Sequence, residues 1–168
     1  NRNAIHRLRI QSGIVISDPN LIASAITKDF SNRFKKDPNG RLDINTNLNF
    51  IYPLISNIDN TFLISEFSDE EIKSTVFLLA NDKSPGPDGY PLLFYKKYRQ
   101  IVGNSVIRSV KAFFHSGKIL KKINHTFLAL IPKIENPETT NHFRPISLCT
   151  SIYKIIAKLL ADRLKTVL

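Results

Sequence analysis

The sequence predicts an α+β fold that is mostly helical and contains a small antiparallel β-hairpin. Residues 127–131 are apolar on both alternating faces, which is typical of a strand that is buried on both sides. A second apolar run at residues 143–148 follows a polar loop, so these two runs are expected to form the hairpin. Residues 68–81 and 151–168 repeat their apolar side chains at helical spacing.

The predicted hairpin carries one cation near each side of its loop. Pro132 ends the first strand and Lys133 follows it, while Arg144 and Pro145 lie inside the second run. Pro145 restricts that run to an edge strand or a bulge, and the loop is expected to be mobile. Lysine offers a point charge and arginine a planar fork, so the pair suits a triphosphate or a nucleic-acid backbone. Alternatively, Lys133 is a solvated strand end and Arg144 caps a carbonyl.

The first sixty residues predict a small hairpin, a helix and a surface connector. Short apolar runs on either side of Gly13 indicate the hairpin. Asp18 and Pro19 form a typical helix start, and the expected buried face of this helix consists of Ile22, Ala25, Ile26, Phe30 and Phe34. Residues 35–61 are rich in asparagine and turn signals, so we expect a connector with one short apolar turn at residues 50–55.

A better-specified helix is expected from Ser68 to about Asn81. Ser68 and Glu71 have the spacing of a capping box, and Phe67 before the cap is placed to pack on Ile72. The expected buried stripe consists of Ile72, Thr75, Val76 and Leu79.

Two turn signals lie back to back in the next loop, KSPGPDG at residues 83–89. Gly86 and Gly89 permit positive φ and allow a ligand or a strand to approach the backbone closely. The interpretation from spacing alone is a rigid connection between two helices.

Three further helices are expected. Pro91 opens one that runs to about Ile101, and the next ends at Gly117 as its C-cap. The aromatic side chains at the start of this region are interpreted as core, with base stacking as the alternative: Tyr90, Phe94, Tyr95 and Tyr98. The last helix begins at Ser151, and its apolar stripe is expected to pack against the hairpin while Arg163 lies on the polar face.

The basic excess is confined to the second half of the chain. The 168 residues can bury one core, or one core plus an arm, and they carry a net charge of +10. Residues 1–88 hold 10 basic and 11 acidic side chains, whereas residues 89–168 hold 14 basic and 3 acidic ones. This asymmetry favours nucleic acid or an anionic membrane surface, although basicity also serves solubility. No stretch has the pattern of a membrane-surface helix, so nucleic acid is the preferred partner.

Composition excludes several other classes. No apolar run reaches the length of about 18 residues that a membrane helix needs, and no signal peptide is visible at the start. A single cysteine, Cys149, excludes an internal disulfide and a cysteine-based zinc site, and its expected role is that of a small buried hydrophobe. The chain starts at Asn1 and contains no methionine, so we expect a piece of a longer product.

Four motifs occur in a fixed order: KSPGPDGY at residues 83–90, LIPK at 130–133, FRPISL at 143–148 and YKIIAKLLADRLKTVL at 153–168. Together they resemble the reverse transcriptase of LINE-type (non-LTR) retrotransposons, with the plant members most similar. The resemblance implies the fingers part of a right-hand polymerase without its palm. It divides the chain into an arm or linker at 1–60, a helical fingers region at 61–126 and the truncated start of the reverse transcriptase domain at 127–168.

The resemblance also implies site residues. Lys133 and Arg144 match positions that grip the incoming deoxynucleoside triphosphate, and the loop with Lys83, Gly86 and Asp88 is expected to face the template. The two Mg²⁺ ions of the complete enzyme would be held by aspartates in motifs that this chain lacks. The fragment is therefore expected to bind no metal and to be inactive alone. Asp162 is interpreted as a salt-bridged surface residue.

The implied partners are an RNA template, a DNA primer, deoxynucleoside triphosphates, and the palm and thumb of the same polyprotein, with no membrane. The implied location is intracellular, in the nucleus or the cytoplasm. Two alternatives stay open: a non-catalytic nucleic-acid-binding remnant or repurposed module, and a small helical interaction protein in which the motifs arose by chance.

Overall fold

The computed structural model describes residues 4–35 and 55–167. These residues fall into two compact units. The arm unit comprises residues 4–35 and 129–146, and the helical unit comprises residues 55–128 and 147–167. The connector expected at residues 35–61, with its apolar turn at 50–55, lies for the most part outside the described residues. The predicted domain boundaries at residues 60 and 126 stay predictions.

The arm unit begins with strands β1 (Leu8–Arg9) and β2 (Val15–Ile16), which pair antiparallel with Leu8 opposite Ile16. Gly13 turns the chain between them with a φ of +83°, a value that favours glycine. Helix α1 (Pro19–Arg33) follows, and the Asp18 carboxylate accepts hydrogen bonds from two backbone N–H groups of its first turn. The predicted small hairpin and the predicted helix start are both confirmed.

The core of the arm unit is small. Leu8, Ile22 and Phe143 are fully buried, with Leu130 and other apolar side chains partly buried against them. Ile22 belongs to the predicted face of α1, but Phe34 at the end of that face is 63% exposed, so its assignment to the core was wrong. The helix ends at Arg33, and the last apolar residue of the stripe therefore lies beyond it.

The predicted antiparallel hairpin is present as strands β3 (Thr126–Pro132) and β4 (Phe143–Cys149). Its loop contains a short 3-10 turn at Thr140–His142. The expectation that residues 127–131 are buried on both sides was wrong, since Phe127 is 54% exposed and Leu128 and Ile131 are also exposed. A two-stranded ribbon has two edges, which accommodates Pro145 in β4 but leaves much of its surface uncovered.

The helical unit contains six helices among its described residues: α2 (Asn57–Ile64), α3 (Asp69–Leu78), α4 (Leu92–Lys97), α5 (Arg99–Ser116), α6 (Lys121–Asn124) and α7 (Ser151–Lys165). The prediction of a mostly helical α+β fold is therefore confirmed. Helix α2 was missed, because the sequence around it was interpreted as connector. Its signal was Ser56 followed three residues later by Asp59, and these two residues form a complete capping box.

The boundaries of the other helices differ slightly from expectation. Helix α3 ends at Leu78 rather than near Asn81. The two expected helices that follow are both present, but α4 ends at Lys97 rather than near Ile101, and α5 begins at Arg99. Gly117 ends α5 with a φ of +65°, as predicted for a C-cap. Only half of the predicted capping box forms on α3, because Ser68 accepts from the Glu71 N–H while the Glu71 carboxylate binds Arg163.

The core of the helical unit lies where α3, α5 and α7 meet. Its buried members come mainly from these three helices: Phe67, Ile72, Val76, Leu92, Val106, Ile107, Val110, Ile155, Ile156 and Leu159. The last helix therefore packs mainly against other helices, and the expectation that it packs on the hairpin was wrong. Its buried stripe is also rotated, since Leu160 and Leu164 are exposed and Arg163 is buried.

In the described residues, none of the helices is both long enough and apolar enough to span a membrane.

Candidate functional site

The loop end of the β3–β4 hairpin places Lys133 and Arg144 on one face. The backbone N–H of Lys133 donates to the His142 carbonyl across 2.8 Å, so these two residues lie opposite each other. Opposed residues share a face of an antiparallel ribbon, and so do residues two apart along a strand. Arg144, two residues beyond His142, therefore lies on the same face as Lys133.

The other face of this hairpin end is held by the core of the arm unit. Phe143 is 2% exposed, and Leu130 is partly buried in the same cluster. Because side chains alternate along a strand, burial of Phe143 directs its neighbour Arg144 to the solvent. Both Lys133 and Arg144 are exposed.

The two cations differ in how they are engaged. The Lys133 ammonium donates one hydrogen bond to the Asn141 carbonyl at 2.8 Å, which leaves two of its three N–H donors. Arg144 makes no hydrogen bond or ion pair with residues 4–35 or 55–167. The alternative in which Arg144 caps a carbonyl therefore finds no support within the described residues.

The loop between β3 and β4 was expected to be mobile, but two arginines of residues 4–35 bind it. Arg9 binds Glu138 twice, through its backbone N–H to the carbonyl at 2.6 Å and through its guanidinium to the carboxylate at 3.0 Å. Arg33 donates to Thr140 at 3.0 Å and to the Asn141 side chain at 2.6 Å. Two arginines more than 100 residues away in sequence thus fix the loop that follows Lys133. Neither contact has a signal in local sequence spacing.

The loop at residues 83–89 is tightly packed. Gly86 is buried, and a Cβ atom there would lie 2.5 Å from the carbonyl carbon of Cys149 and from the nitrogen of Thr150. Gly89 has a φ of +73° and donates to the Gly86 carbonyl at 3.0 Å. Close approach of a strand is therefore found at Gly86, where Cys149 ends β4, and positive φ is found at Gly89. These contacts agree with a rigid connection between helices.

The other residues expected at this loop lie on its surface. Lys83 and Asp88 are exposed, and the Asp88 carboxylate accepts the backbone N–H of Tyr90 at 3.3 Å. Lys83, Gly86 and Asp88 belong to the helical unit, whereas Lys133 and Arg144 belong to the arm unit. A template contact by the loop stays a prediction.

The aromatic side chains near this loop divide into two groups. Tyr95 packs against the core of the helical unit, and burial raises its pKa to about 12, with smaller effects of the Asp88 carboxylate and of Tyr90. Tyr90 and Tyr98 are 49% and 42% exposed. The interpretation of these rings as core therefore holds for Tyr95 and is wrong for Tyr90 and Tyr98, while Phe94 is partly buried.

The described residues do not assemble a magnesium site. No three side chains of His, Cys, Asp or Glu in residues 4–35 and 55–167 lie close enough to hold a metal ion together. The Asp162 carboxylate forms an ion pair with Lys158, one turn away on α7, as expected for a surface salt bridge. Cys149 is half-buried, and its sulfur accepts a weak hydrogen bond from the Thr126 hydroxyl at 3.6 Å.

These features define a basic, mostly helical α+β chain with two cations on one face of a hairpin. No protein-family model matches the chain. It is similar to the transposon TX1 uncharacterized 149 kDa protein of Xenopus laevis, with 29% identity over 168 residues. The match covers the whole of this chain and 13% of that protein. This similarity supports the retrotransposon origin that the four sequence motifs indicate.

Proposed function

We propose that this chain is the fingers portion of a LINE-type reverse transcriptase and contributes contacts to the incoming nucleotide and to the template. The observation that carries the proposal is the placement of Lys133 and Arg144 on one outward face of a hairpin whose opposite face is anchored. Their similarity to nucleotide-gripping positions of that family and the likeness to a transposon protein support the same conclusion.

In this proposal, the hairpin supplies charge in a fixed geometry. The Arg144 guanidinium pairs with two oxygens of one phosphate, and the Lys133 ammonium supplies a point charge beside it. The loop contacts of Arg9 and Arg33 hold the strand ends in place before the nucleotide arrives, which lowers the cost of ordering them on binding. The catalytic metal ions belong to aspartates outside this chain, so the chain alone binds but does not polymerise.

The remaining partners follow from the same proposal. Residues 89–168, with 14 basic and 3 acidic side chains, supply the positive field for an RNA template and a DNA primer. The palm and thumb of the same polyprotein complete the enzyme. Copying an RNA template takes place in the nucleus or the cytoplasm, and no membrane is required.

A first test is to read the parent transcript past the codon for Leu168. The proposal expects an in-frame continuation that encodes a Tyr/Phe-Ala-Asp-Asp turn, because the carboxylates that bind magnesium must be supplied by the same product. A stop codon shortly after Leu168 would contradict a role in a working polymerase.

The second candidate is a non-catalytic nucleic-acid-binding module, and the acid-poor second half of the chain favours it. It predicts steeply salt-dependent binding of RNA or DNA by the product of the native transcript, without primer extension. Primer extension by that product would exclude it. A neutral result in every polyanion-binding assay would exclude both candidates and leave a helical interaction protein.

A further inference from the structure

Three aromatic rings form a continuous cluster, here called the ring cluster, that runs from just before α4 to its C-cap. It consists of Tyr90, Phe94 and Tyr98. The Phe94 ring lies between the other two, with centroid separations of 4.7 Å to Tyr90 and 5.1 Å to Tyr98. The outer rings are the half-exposed ones, whereas Phe94 is partly buried between them. The two outer tyrosines of the cluster are therefore half-exposed, and the Phe94 ring between them supports both.

The backbone beneath the ring cluster is fixed. The Tyr90 carbonyl accepts a hydrogen bond from Ser151, a fully buried residue at the start of α7, at 2.8 Å. Tyr98 joins α4 to α5, so its backbone is set by two helices. Phe94 also contacts Tyr95 edge to face at 5.4 Å, and Tyr95 packs against the core. The exposed rings are thus pre-positioned, which reduces the entropy lost when a flat partner binds them.

The charge next to the ring cluster is positive. The Lys97 ammonium lies 5.7 Å from the centroid of the Tyr98 ring, and Arg99 is exposed on the other side of Tyr98 in sequence. Residues 89–134 contain nine lysines and arginines and no aspartate or glutamate. Asp88 is an acidic neighbour, and its carboxylate is engaged by the Tyr90 N–H. A partner with flat apolar faces and a negative backbone matches this surface.

We propose that the ring cluster stacks unpaired bases of the RNA template while Lys97 and Arg99 contact the adjoining phosphates. Every base has a flat face for a tyrosine ring, so such a contact is independent of sequence. Paired bases stack on each other inside a duplex, so the surface favours single strands. The inference rests on the proposed function for the identity of its RNA, and it adds which surface of the helical unit holds the strand.

The test measures binding of a fluorescein-labelled single-stranded RNA dodecamer and of a duplex RNA to the 168-residue chain. Replacement of Tyr98 by leucine keeps an apolar side chain but removes the ring, and should weaken single-strand binding about tenfold, with a similar loss for Tyr90→Leu. Tyr90→Phe and Tyr98→Phe should bind as the parent does. A dodecamer that contains 2-aminopurine should lose its fluorescence on stacking with the parent chain and keep more of it with the leucine variants.

The matched control is Tyr153→Leu, since Tyr153 is a similarly exposed tyrosine on α7 and makes no ring contact within the described residues. It should leave both affinities unchanged. Far-ultraviolet circular dichroism confirms that each leucine variant keeps its helices. The inference is overturned if the parent does not bind the single strand, if the leucine variants bind it as the parent does, or if single-strand and duplex binding fall equally.

Failure here is distinct from failure of the proposed function. Binding of the dodecamer tests the ring cluster, which lies in the helical unit, whereas Arg144 lies in the arm unit. If the leucine variants bind the single strand as the parent does, but Arg144→Ala still raises KM for the nucleotide, only this inference is excluded. If the leucine variants lose single-strand binding, but Arg144→Ala leaves KM unchanged, the ring cluster is an RNA-binding surface and the proposed nucleotide site is excluded.

Discussion

The guanidinium of Arg163 and the carboxylate of Glu71 form a two-bond ion pair inside the helical unit. The Arg163 Nε donates to one carboxylate oxygen and its terminal nitrogen to the other, each at 3.0 Å. Arg163 is only 5% exposed, although it lies near the end of α7 among basic residues that the sequence assigns to a solvated face. The pair joins the first turn of α3 to the last turn of α7.

The remaining donors of Arg163 are also satisfied. They reach backbone carbonyls of the segment between α2 and α3, with Glu66 at 3.0 Å and Ser65 closer still. The guanidinium also lies 3.4 Å from the centroid of the Phe67 ring, a distance at which the cation is attracted by the face of the ring. One buried side chain thus holds the end of α7, the start of α3 and the segment before it together.

Replacing Glu71 by glutamine should destabilise the chain by about 3 kcal/mol, because it leaves the buried guanidinium of Arg163 without an anion. The estimate is at the lower end for a broken buried pair because Glu71 itself is about one third exposed. Urea unfolding followed by circular dichroism measures the difference. The matched control is Glu70→Gln, one residue away and exposed, which should change the free energy of unfolding by less than about 0.5 kcal/mol. Equal effects of the two variants would contradict the role of the pair.

Gly86→Ala should destabilise the chain by about 1–3 kcal/mol, because the new Cβ would overlap the backbone at Cys149 and Thr150, which cannot move like a flexible side chain. Gly103→Ala is the matched change. Gly103 lies inside α5 with open space at its Cβ position, so alanine there should stabilise by about 0.5–1 kcal/mol. Thermal unfolding should shift in opposite directions for the two variants. A shift of the same sign for both variants would contradict the close approach of the Cys149 and Thr150 backbone to Gly86.

The Tyr95 hydroxyl should make stability depend on alkaline pH. Burial raises its pKa from the ordinary 10.0 to about 12, so the folded chain holds this proton more tightly than the unfolded chain. The resulting stabilisation is complete below about pH 10 and is lost as the pH rises through about 12. Tyr95→Phe should therefore lose less stability between pH 10 and pH 12 than the parent does, as measured by urea unfolding at each pH. Tyr153→Phe serves as the control, and an unchanged slope for Tyr95→Phe would refute the shift.

Local signals in the sequence predicted local structure well. Asp18 with Pro19 marks the start of α1, Ser68 the start of α3 and Gly117 the end of α5. Each of these signals acts through backbone groups within four residues of itself, so a single sequence is enough to recognise it. The fold class was predicted correctly for the same reason, because helical periodicity and turn residues are also visible within a few neighbouring residues.

Burial was predicted less well, because it depends on what packs against each element. The run at residues 127–131 looks like a buried strand, yet exposed side chains remain on it because a two-stranded ribbon has few neighbours. Arg163 looks like a surface charge and is buried because Glu71, 92 positions away, faces it. Periodicity gives the buried face of a helix only approximately. In α7, the ion pair with Glu71 places Arg163 on the buried face.

The candidate site shows the same division. The positions of Lys133 and Arg144 beside a hairpin loop were predictable from two proline-interrupted apolar runs. The anchoring of that loop by Arg9 and Arg33 was not, because the two arginines come from the arm, more than 100 residues earlier. The exposed rings of Tyr90 and Tyr98 were assigned to the core for a similar reason, since helical spacing alone does not show which aromatic residues lack a covering layer.

The proposed nucleotide contact of Arg144 is tested by steady-state primer extension with the proposed full-length reverse transcriptase that carries Arg144→Ala. Because Arg144 is exposed and pairs with no described residue, its loss should leave the fold intact and remove a charge-assisted contact to the triphosphate. We expect KM for the deoxynucleoside triphosphate to rise about tenfold, whereas Arg108→Ala, at an exposed arginine on α5, should leave it unchanged. Unchanged KM and kcat for Arg144→Ala would show that Arg144 does not contact the incoming nucleotide.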